Sequence, residues 1–307
     1  MFKNILWVLL IGSAIVTFLP SIFPDFWLID LMSHFRVQYA IVLSLLILLF
    51  LVFHRNKLPI IISVVLLLWN LKDIYPLYVS PELYDKTSAE SISILSINLL
   101  SSNANSEAVL SLINEKDPDV IVFMELTPRW EQELNDVFKN YPYKTSEVRT
   151  DNFGIAMLSK SKMESSLTNF ENSVKPSIVG KFNFSEEPLT IIATHPLPPI
   201  SAETFKLRNS QLRDLAERRN DYSDNLVIVG DLNTSSFSKH FKDLLKDGSL
   251  VDSRNGFGVS TTWPADLYIL RTTLDHCLIS KGIKVLEQAP QQNIGSDHLP
   301  IYVELSL

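Results

Sequence analysis

The sequence predicts an α/β chain: two packed β-sheets with helices outside them, preceded by about three transmembrane helices. Three observations carry that expectation. Residues 1–85 hold three long apolar runs, whereas the rest of the chain has the mixed composition of a water-exposed domain. Beyond residue 90, short runs of strand length alternate with polar stretches of helical periodicity. The strands outnumber the helices and several stand consecutively, so one doubly wound sheet fits poorly and two packed sheets fit better.

The first apolar run, residues 5–23, has 19 residues without a charge, preceded by Lys3 and closed by Pro20 and Pro24. No small-residue cleavage site follows it, which favours a retained helix over a signal peptide. The second, residues 37–53, has 17 residues and ends at His54, Arg55, Asn56 and Lys57. Snorkelling flanks make that length sufficient. The third, residues 58–71, is only 14 residues before Lys72 and Asp73, about 21 Å of helix against a hydrocarbon core of about 30 Å. Trp69, Tyr75 and Tyr78 are aromatics of the kind expected at a headgroup boundary, so this span extends towards Val79. The expected anchor is residues 1–85, with spans over about 5–23, 37–53 and 58–79; a core or interfacial helix is the alternative for the third.

Of 27 basic and 34 acidic residues, five of each fall in residues 1–85, so 22 basic and 29 acidic residues, the whole net charge of −7, lie in residues 86–307. Such a domain has no global pull on polyanions. The single Cys277 excludes a disulfide framework and a cysteine metal cluster. Lys3 precedes the first run, and Arg55 and Lys57 separate the second from the third. The positive-inside rule then places the amino terminus and that loop in the cytoplasm, and three spans place the large domain outside.

Strands are predicted at residues 91–98, 119–125, 153–159, 179–184, 189–195, 226–231, 273–279 and 301–305, and helices at 106–115, 128–138, 202–219 and 237–245. Ser106 offers a cap for the first helix. The central stretch is residues 226–233, LVIVGDLN, a buried-strand run that ends in Gly-Asp-Leu-Asn. Asp231 and Asn233 alternate with Leu232, so carboxylate and amide leave the strand end on one face. A carboxylate that orients water beside an amide that holds an anionic oxygen suits phosphoryl chemistry. Other strand ends carry Asn98, Glu125, His195, and the group of Asp275 with Asp297 and His298. Each alone has a plain reading as a turn residue, a helix cap or a satisfied histidine. Their common order is what points to chemistry.

That order, N…E…TH…GDLN…LDH…SDH, resembles the endonuclease/exonuclease/phosphatase superfamily, the DNase I-like fold, over about residues 90–307, with GDLN and SDHLP the most specific parts. Three apolar runs before the domain, then THPLPP with Arg208 and Gln211 on the next helix, resemble its membrane-anchored bacterial subgroup. The resemblance implies a four-layer α/β sandwich and Mg²⁺-dependent hydrolysis of a phosphate ester, with Mn²⁺ as a possible substitute. It implies that Glu125 is the principal metal ligand, with Asn98 and Asp297 completing the direct or water-mediated shell. Asp231 would orient or deprotonate the attacking water and Asn233 would hold a phosphate oxygen. His298 would sit on the developing charge with Asp275 holding its imidazole, and His195 would contact the phosphate or protonate the leaving oxygen. Oxygen ligands suit Mg²⁺ and carboxylate-held imidazoles suit charge stabilisation independently of the resemblance. His276 points to the other face. An acidic partner for His195 has no clear counterpart; Glu147 is the nearest guess. Arg208 could bind a phosphate, although a solvated helix-face charge is the commoner role.

The expected function is thus a membrane-anchored Mg²⁺ phosphohydrolase whose site is held within reach of lipid headgroups, acting first on lipid-linked phosphates or pyrophosphates and second on nucleic acid. A catalytically inactive binding module on the same fold is the competing class. No sequence feature marks a protein partner.

Overall fold

The computed structural model describes residues 2–53, 56–79, 90–171, 173, 175–184 and 186–307. Arg55 and the expected boundary at residues 85 and 86 lie outside them. Helices α1 (Phe2–Ile22), α2 (Trp27–Met32), α3 (Arg36–Phe53) and α4 (Leu58–Ile74) form the amino-terminal unit. Leu6, Leu10, Leu43, Leu46, Phe50 and Leu66 pack together at its centre, while Val8, Ile11, Leu48, Val52 and Leu68 turn outward. Helices apolar on their outer faces as well as their inner ones need an apolar solvent. Three stretches, Lys3–Ile22, Trp27–Phe53 and Leu58–Tyr78, are long and apolar enough to cross a membrane. The third reaches 21 residues because α4 continues into a 3₁₀ turn over Tyr75–Tyr78, which meets the roughly 20 residues that a span needs.

The remainder holds two mixed six-stranded sheets. The first runs β11 (Lys284–Pro290), β12 (Ile301–Ser306), β1 (Ile92–Asn98), β2 (Val120–Met124), β4 (Ile155–Ser159), β3 (Tyr143–Glu147). The second runs β5 (Glu164–Thr168), β6 (Ser177–Phe184), β7 (Glu187–Thr194), β8 (Asn225–Asp231), β10 (Asp275–Ser280), β9 (Leu250–Asp252). Ile94, Val122, Met157, Ile191, Val229, Cys277 and Val303 fill the space between the sheets. On the far side of the first sheet, α5 (Ser106–Lys116), α6 (Pro128–Glu133) and α7 (Asn135–Asn140) cover Leu95, Ile97, Ile121 and Phe123. On the far side of the second, α8 (Ala202–Glu217) and α9 (Lys239–Asp247) cover Ile192, Ile228 and Leu278. The result is the expected four-layer α/β sandwich; β2 and β8 carry unbroken apolar runs because both of their faces are buried, while β1, equally buried, alternates its isoleucines with small serines.

Three local expectations are corrected. The stretch 128–138 is two short helices, since Leu134 leaves helical geometry at φ −93, ψ 11. The cap of α5 is Asn105, whose side chain accepts from the Ala108 amide at 3.3 Å, and not Ser106. β3, β5, β9 and β11 were not expected, and all four are sheet edges.

β1 runs parallel to β2 and antiparallel to β12, and β7 runs parallel to β8, which is antiparallel to β10. The carboxyl ends of β1, β2, β7 and β8 therefore share one edge of the sandwich with the starts of β10 and β12. The amino-terminal unit packs beside that edge. Thr272 donates its hydroxyl to the His34 carbonyl at 3.0 Å, and the Gly256 and Gly258 amides donate to the Leu77 carbonyl at 3.0 and 2.6 Å. Asp73 pairs with Arg36 at 3.2 Å and with Lys242 at 2.8 Å.

Candidate active site

Each polar residue singled out in the sequence sits where a strand meets this edge. Asn98 ends β1, Glu125 follows β2, His195 follows β7, Asp231 ends β8, Asp275 starts β10, and Asp297 and His298 precede β12. Two glycines bring the strand ends close. A Cβ on Gly230 would lie 2.1 Å from the Thr194 carbonyl oxygen, and its φ of +144° favours glycine in any case. Only glycine there lets β8 deliver Asp231 beside His195. A Cβ on Gly154 would lie 1.9 Å from the Leu126 carbonyl oxygen, so glycine is what allows the turn after Glu125 to close. Glu125 and Asn233 hold left-handed backbone at φ 58° and 50°. Asparagine tolerates that region, but glutamate rarely enters it, and such strain gathers at functional sites.

Asp231 is the hub of one half. Its Oδ2 lies 3.4 Å from His195 Nε2 and 3.6 Å from His298 Nε2, and it accepts from the Asn98 amide at 3.3 Å. Its Oδ1 accepts from the Asn233 backbone amide at 2.9 Å. His298 Nδ1 meets Asp275 Oδ2 at 2.8 Å, so the imidazole stands between two buried carboxylates. Burial alone would lower the His298 pKa, yet Asp275 and Asp231 overcome it and raise it to about 10. Burial would likewise raise Asp231, but the two imidazoles hold it down at about 2, whereas burial leaves Asp275 raised. The trio holds its proton on the imidazole. Asp231, Asp275 and His298 offer donor atoms within 4.8 Å of one another, close enough to share a cation; in this structure His298 Nδ1 is hydrogen-bonded to Asp275 Oδ2.

The other half is a set of oxygens. Glu125 Oε2 accepts from the Ser101 amide at 2.8 Å, and Asn98 Oδ1 from the Leu100 amide at 3.1 Å. Asp297 Oδ2 accepts from the Trp263 indole at 3.1 Å, while its Oδ1 is buried with no hydrogen-bond partner among the described residues. A buried carboxylate oxygen left so requires a cation or water. Carboxylate and amide oxygens are donors for a hard divalent cation, so these residues fit one.

Glu125, Asp297, His298, His195, Asp231 and Asn233 line one cavity of about 780 Å³. Its other wall is Trp27, Leu31 and His34 of the amino-terminal unit, with Pro198, Pro199, Ile200 and Leu274. Asn98 stands behind Asp231. His276 faces away as expected, with Nε2 against the Thr234 carbonyl at 2.8 Å and its ring on Phe241.

Two guesses are corrected. Glu147 pairs with Arg149 at 2.9 Å, while His195 Nδ1 is buried without a hydrogen-bond partner among the described residues and its ring lies against Phe153, centroids 5.2 Å apart. Arg208 is neither a phosphate ligand nor a solvated charge. It is fully buried, pairs with Asp30 at 3.2 Å, and donates to the Asn233 carbonyl at 2.7 Å. Asp30 also accepts from Ser238 Oγ at 2.7 Å. Sequence reasoning missed Trp263 and Asp30. The signal for Asp30 was an acid inside an apolar segment, where a buried charge implies a partner.

The chain matches the Endonuclease/Exonuclease/phosphatase family over residues 95–298 and belongs to it. Members of that family are generally hydrolytic on phosphate esters and typically depend on a divalent metal. Among solved structures, it is similar to a humanized TDP2 of D. rerio, at 19% identity and TM-score 0.58 over 71% of this chain and 99% of that one. An endonuclease/exonuclease/phosphatase family protein of Bacteroides thetaiotaomicron is similar at 14% identity and TM-score 0.57, over 71% and 98%. Beta toxin of Staphylococcus aureus is similar at 21% identity and TM-score 0.50, over 69% and 99%. These likenesses show the fold. No curated protein sequence matches the chain.

Proposed function

We propose that the chain is a membrane-anchored, Mg²⁺-dependent phosphohydrolase that cleaves a phosphate ester or pyrophosphate carried on a lipid. The observation that carries this reading is the shared cavity: a polar wall of strand-end residues faces an apolar wall that includes Trp27 and Leu31 of the membrane unit. A phosphate attached to hydrocarbon matches both walls. Glu125 and Asp297 would hold the cation, with Asn98 in the water-mediated place, because its Oδ1 already accepts from Leu100. When bound, the cation neutralises charge on the phosphoryl oxygens. Asp231 orients the attacking water and takes its proton as the new P–O bond forms. The Asn233 side chain, which donates to the Pro196 carbonyl at 3.0 Å, would turn one donor to a phosphate oxygen. The His298 imidazolium offsets the growing negative charge. His195 contacts the phosphate or gives a proton to the leaving oxygen as the ester bond breaks.

Nucleic acid is the second reading, and one TDP2 structure of D. rerio holds a single-strand DNA product. It is disfavoured here because three of the five basic residues of α8 and its end are committed within the protein. Arg208 is buried, Arg218 pairs with Asp214, and Arg219 donates to the Ser223 and Asp224 carbonyls.

Purified full-length protein in detergent, with Mg²⁺, should release phosphate from a polyprenyl phosphate or pyrophosphate faster than it cleaves plasmid DNA, and EDTA should stop the release. DNA cleavage at physiological salt with no turnover of any lipid phosphate would overturn the reading in favour of a tethered nuclease. The extracytoplasmic placement of the catalytic domain rests on the loop charges; a reporter fused after Leu307 should be active outside the cytoplasm and one inserted at Asn56 inside.

A further inference from the structure

Between Trp263 and Thr272, which pair as an isolated antiparallel bridge, the chain leaves the site and returns to it as a closed loop. At the base of the loop stands Trp263, whose indole donates to Asp297. At its tip, Leu267, Tyr268, Ile269 and Leu270 are 56, 79, 81 and 51% exposed. Four consecutive large apolar side chains turned to water are unfavourable in proportion to their area, and a contiguous patch of that kind marks an interaction surface.

The tip is held in shape. Tyr268–Leu270 is a 3₁₀ turn, closed by the Leu270 amide on the Leu267 carbonyl at 2.9 Å. The Arg271 guanidinium lies over the Tyr268 ring, 5.3 Å from its centroid, and donates to the Ala265 carbonyl.

What faces the patch is fixed by its neighbour. Gln38 Nε2 donates to the Ile269 carbonyl at 3.1 Å and to the Arg271 carbonyl at 3.0 Å. Gln38 lies in the first turn of α3, within the apolar stretch Trp27–Phe53. Ile41, about one turn further along at roughly 1.5 Å per residue, is 57% exposed on the lipid-suited outside of the helix unit. The loop tip therefore lies beside the end of a helix that enters the bilayer, about one helical turn along the axis from the exposed Ile41. We infer that residues 267–270 are a second membrane contact, seated in the headgroup and upper-acyl layer of the leaflet into which α3 enters. The occupant is lipid and not another protein, because the patch continues the apolar surface of the spanning helices. The consequence for the site is placement: the loop that rests on Asp297 also rests on the bilayer, so the cavity mouth is set at headgroup depth. This inference relies on the membrane-anchored part of the proposed function and is independent of the substrate.

Cys277, the single cysteine, is 1% exposed, so an introduced surface cysteine can be labelled alone. Full-length Ile269→Cys, Ile41→Cys and Lys281→Cys would each carry an environment-sensitive fluorophore in vesicles of phosphatidylethanolamine and phosphatidylglycerol. Lys281 follows β10 at the end opposite the site. At Ile269 and Ile41, spin-labelled lipid should remove more emission than aqueous iodide does, and at Lys281 the order should reverse. If Ile41 behaves as expected but Ile269 follows Lys281, the loop inference is overturned and the anchor stands. If Ile41 also follows Lys281, both fall together.

Discussion

The two sheets contribute different chemistry to one cavity. The first sheet supplies oxygens for a cation: Asn98, Glu125 and, from the turn before β12, Asp297. One of these oxygens, Asp297 Oδ1, is buried without a hydrogen-bond partner among the described residues. The second sheet supplies the residues that handle protons: His195, Asp231 and Asp275, which contact one another or His298. Two residues of the first sheet reach across: the Asn98 side chain donates to Asp231 at 3.3 Å, and His298 is held by the carboxylates of Asp231 and Asp275. The difference teaches that neither sheet is a site by itself. One is electrostatically incomplete and the other self-contained, and a phosphoryl group would have to lie between them.

The largest test of this division removes the cation side. Glu125→Gln should lose turnover at Mg²⁺ concentrations that saturate the parent, with the melting temperature in EDTA nearly unchanged, because the carboxylate binds a loop amide and not the core. Near-normal Mg²⁺ activity would move the cation elsewhere. Next in size, Asp231→Asn cannot take a proton and should lower kcat by about 10²- to 10⁴-fold with KM largely kept. The Mg²⁺ requirement should stay the same if the two halves are separate. Activity equal to that of the parent would point to a contaminant or to another base.

Asp275→Asn acts through the imidazole and should lower activity by about 10- to 100-fold, the scale for a residue that orients a functional histidine. The sign follows from His298, raised from 6.5 to about 10. Its stabilising contribution is complete below the ordinary histidine pKa and fades as the pH rises towards 10. Removing the Asp275 charge lowers the imidazole pKa, so the alkaline limb of the pH profile for kcat/KM should move to lower pH. An unmoved limb would deny His298 this role. The smallest catalytic effect is expected from Asp30→Asn. It weakens the hold on Arg208, and so on the Asn233 carbonyl, and should lower kcat by less than about tenfold, small against general-base loss, while leaving the Mg²⁺ requirement alone. Its cost appears in stability, about 3–5 kcal/mol for a buried cation left without its partner, readable as a fall in melting temperature.

Eight strand-end residues were legible in the sequence because the family order fixes them and because strands such as β2 and β8 are apolar runs buried on both faces. The four missed strands are β3, β5, β9 and β11, the edges of both sheets. β3, β5 and β11 carry exposed or half-buried residues along most of their length, so no apolar run announces them, and β9 is only three residues long. The third span looked short because Lys72 and Asp73 end its apolar run, yet the helical path continues to Tyr78. Long-range partners stayed hidden. Glu147 finds its partner two residues away in Arg149, but nothing in α8 says that Arg208 turns inward to meet a residue 178 positions away.

That last contact bears on how such a protein can be taken apart. Asp30 lies near the start of the second apolar stretch, Trp27–Phe53, and Arg208 behind the strand end that carries Asp231 and Asn233. A fragment trimmed to the water-exposed portion would retain every strand-end residue and still carry a bare guanidinium in its interior. The two segments behave less like an enzyme on a leash than like two subunits written in one chain. A replacement anchor taken from an unrelated protein would restore the location of the catalytic portion without restoring its interior.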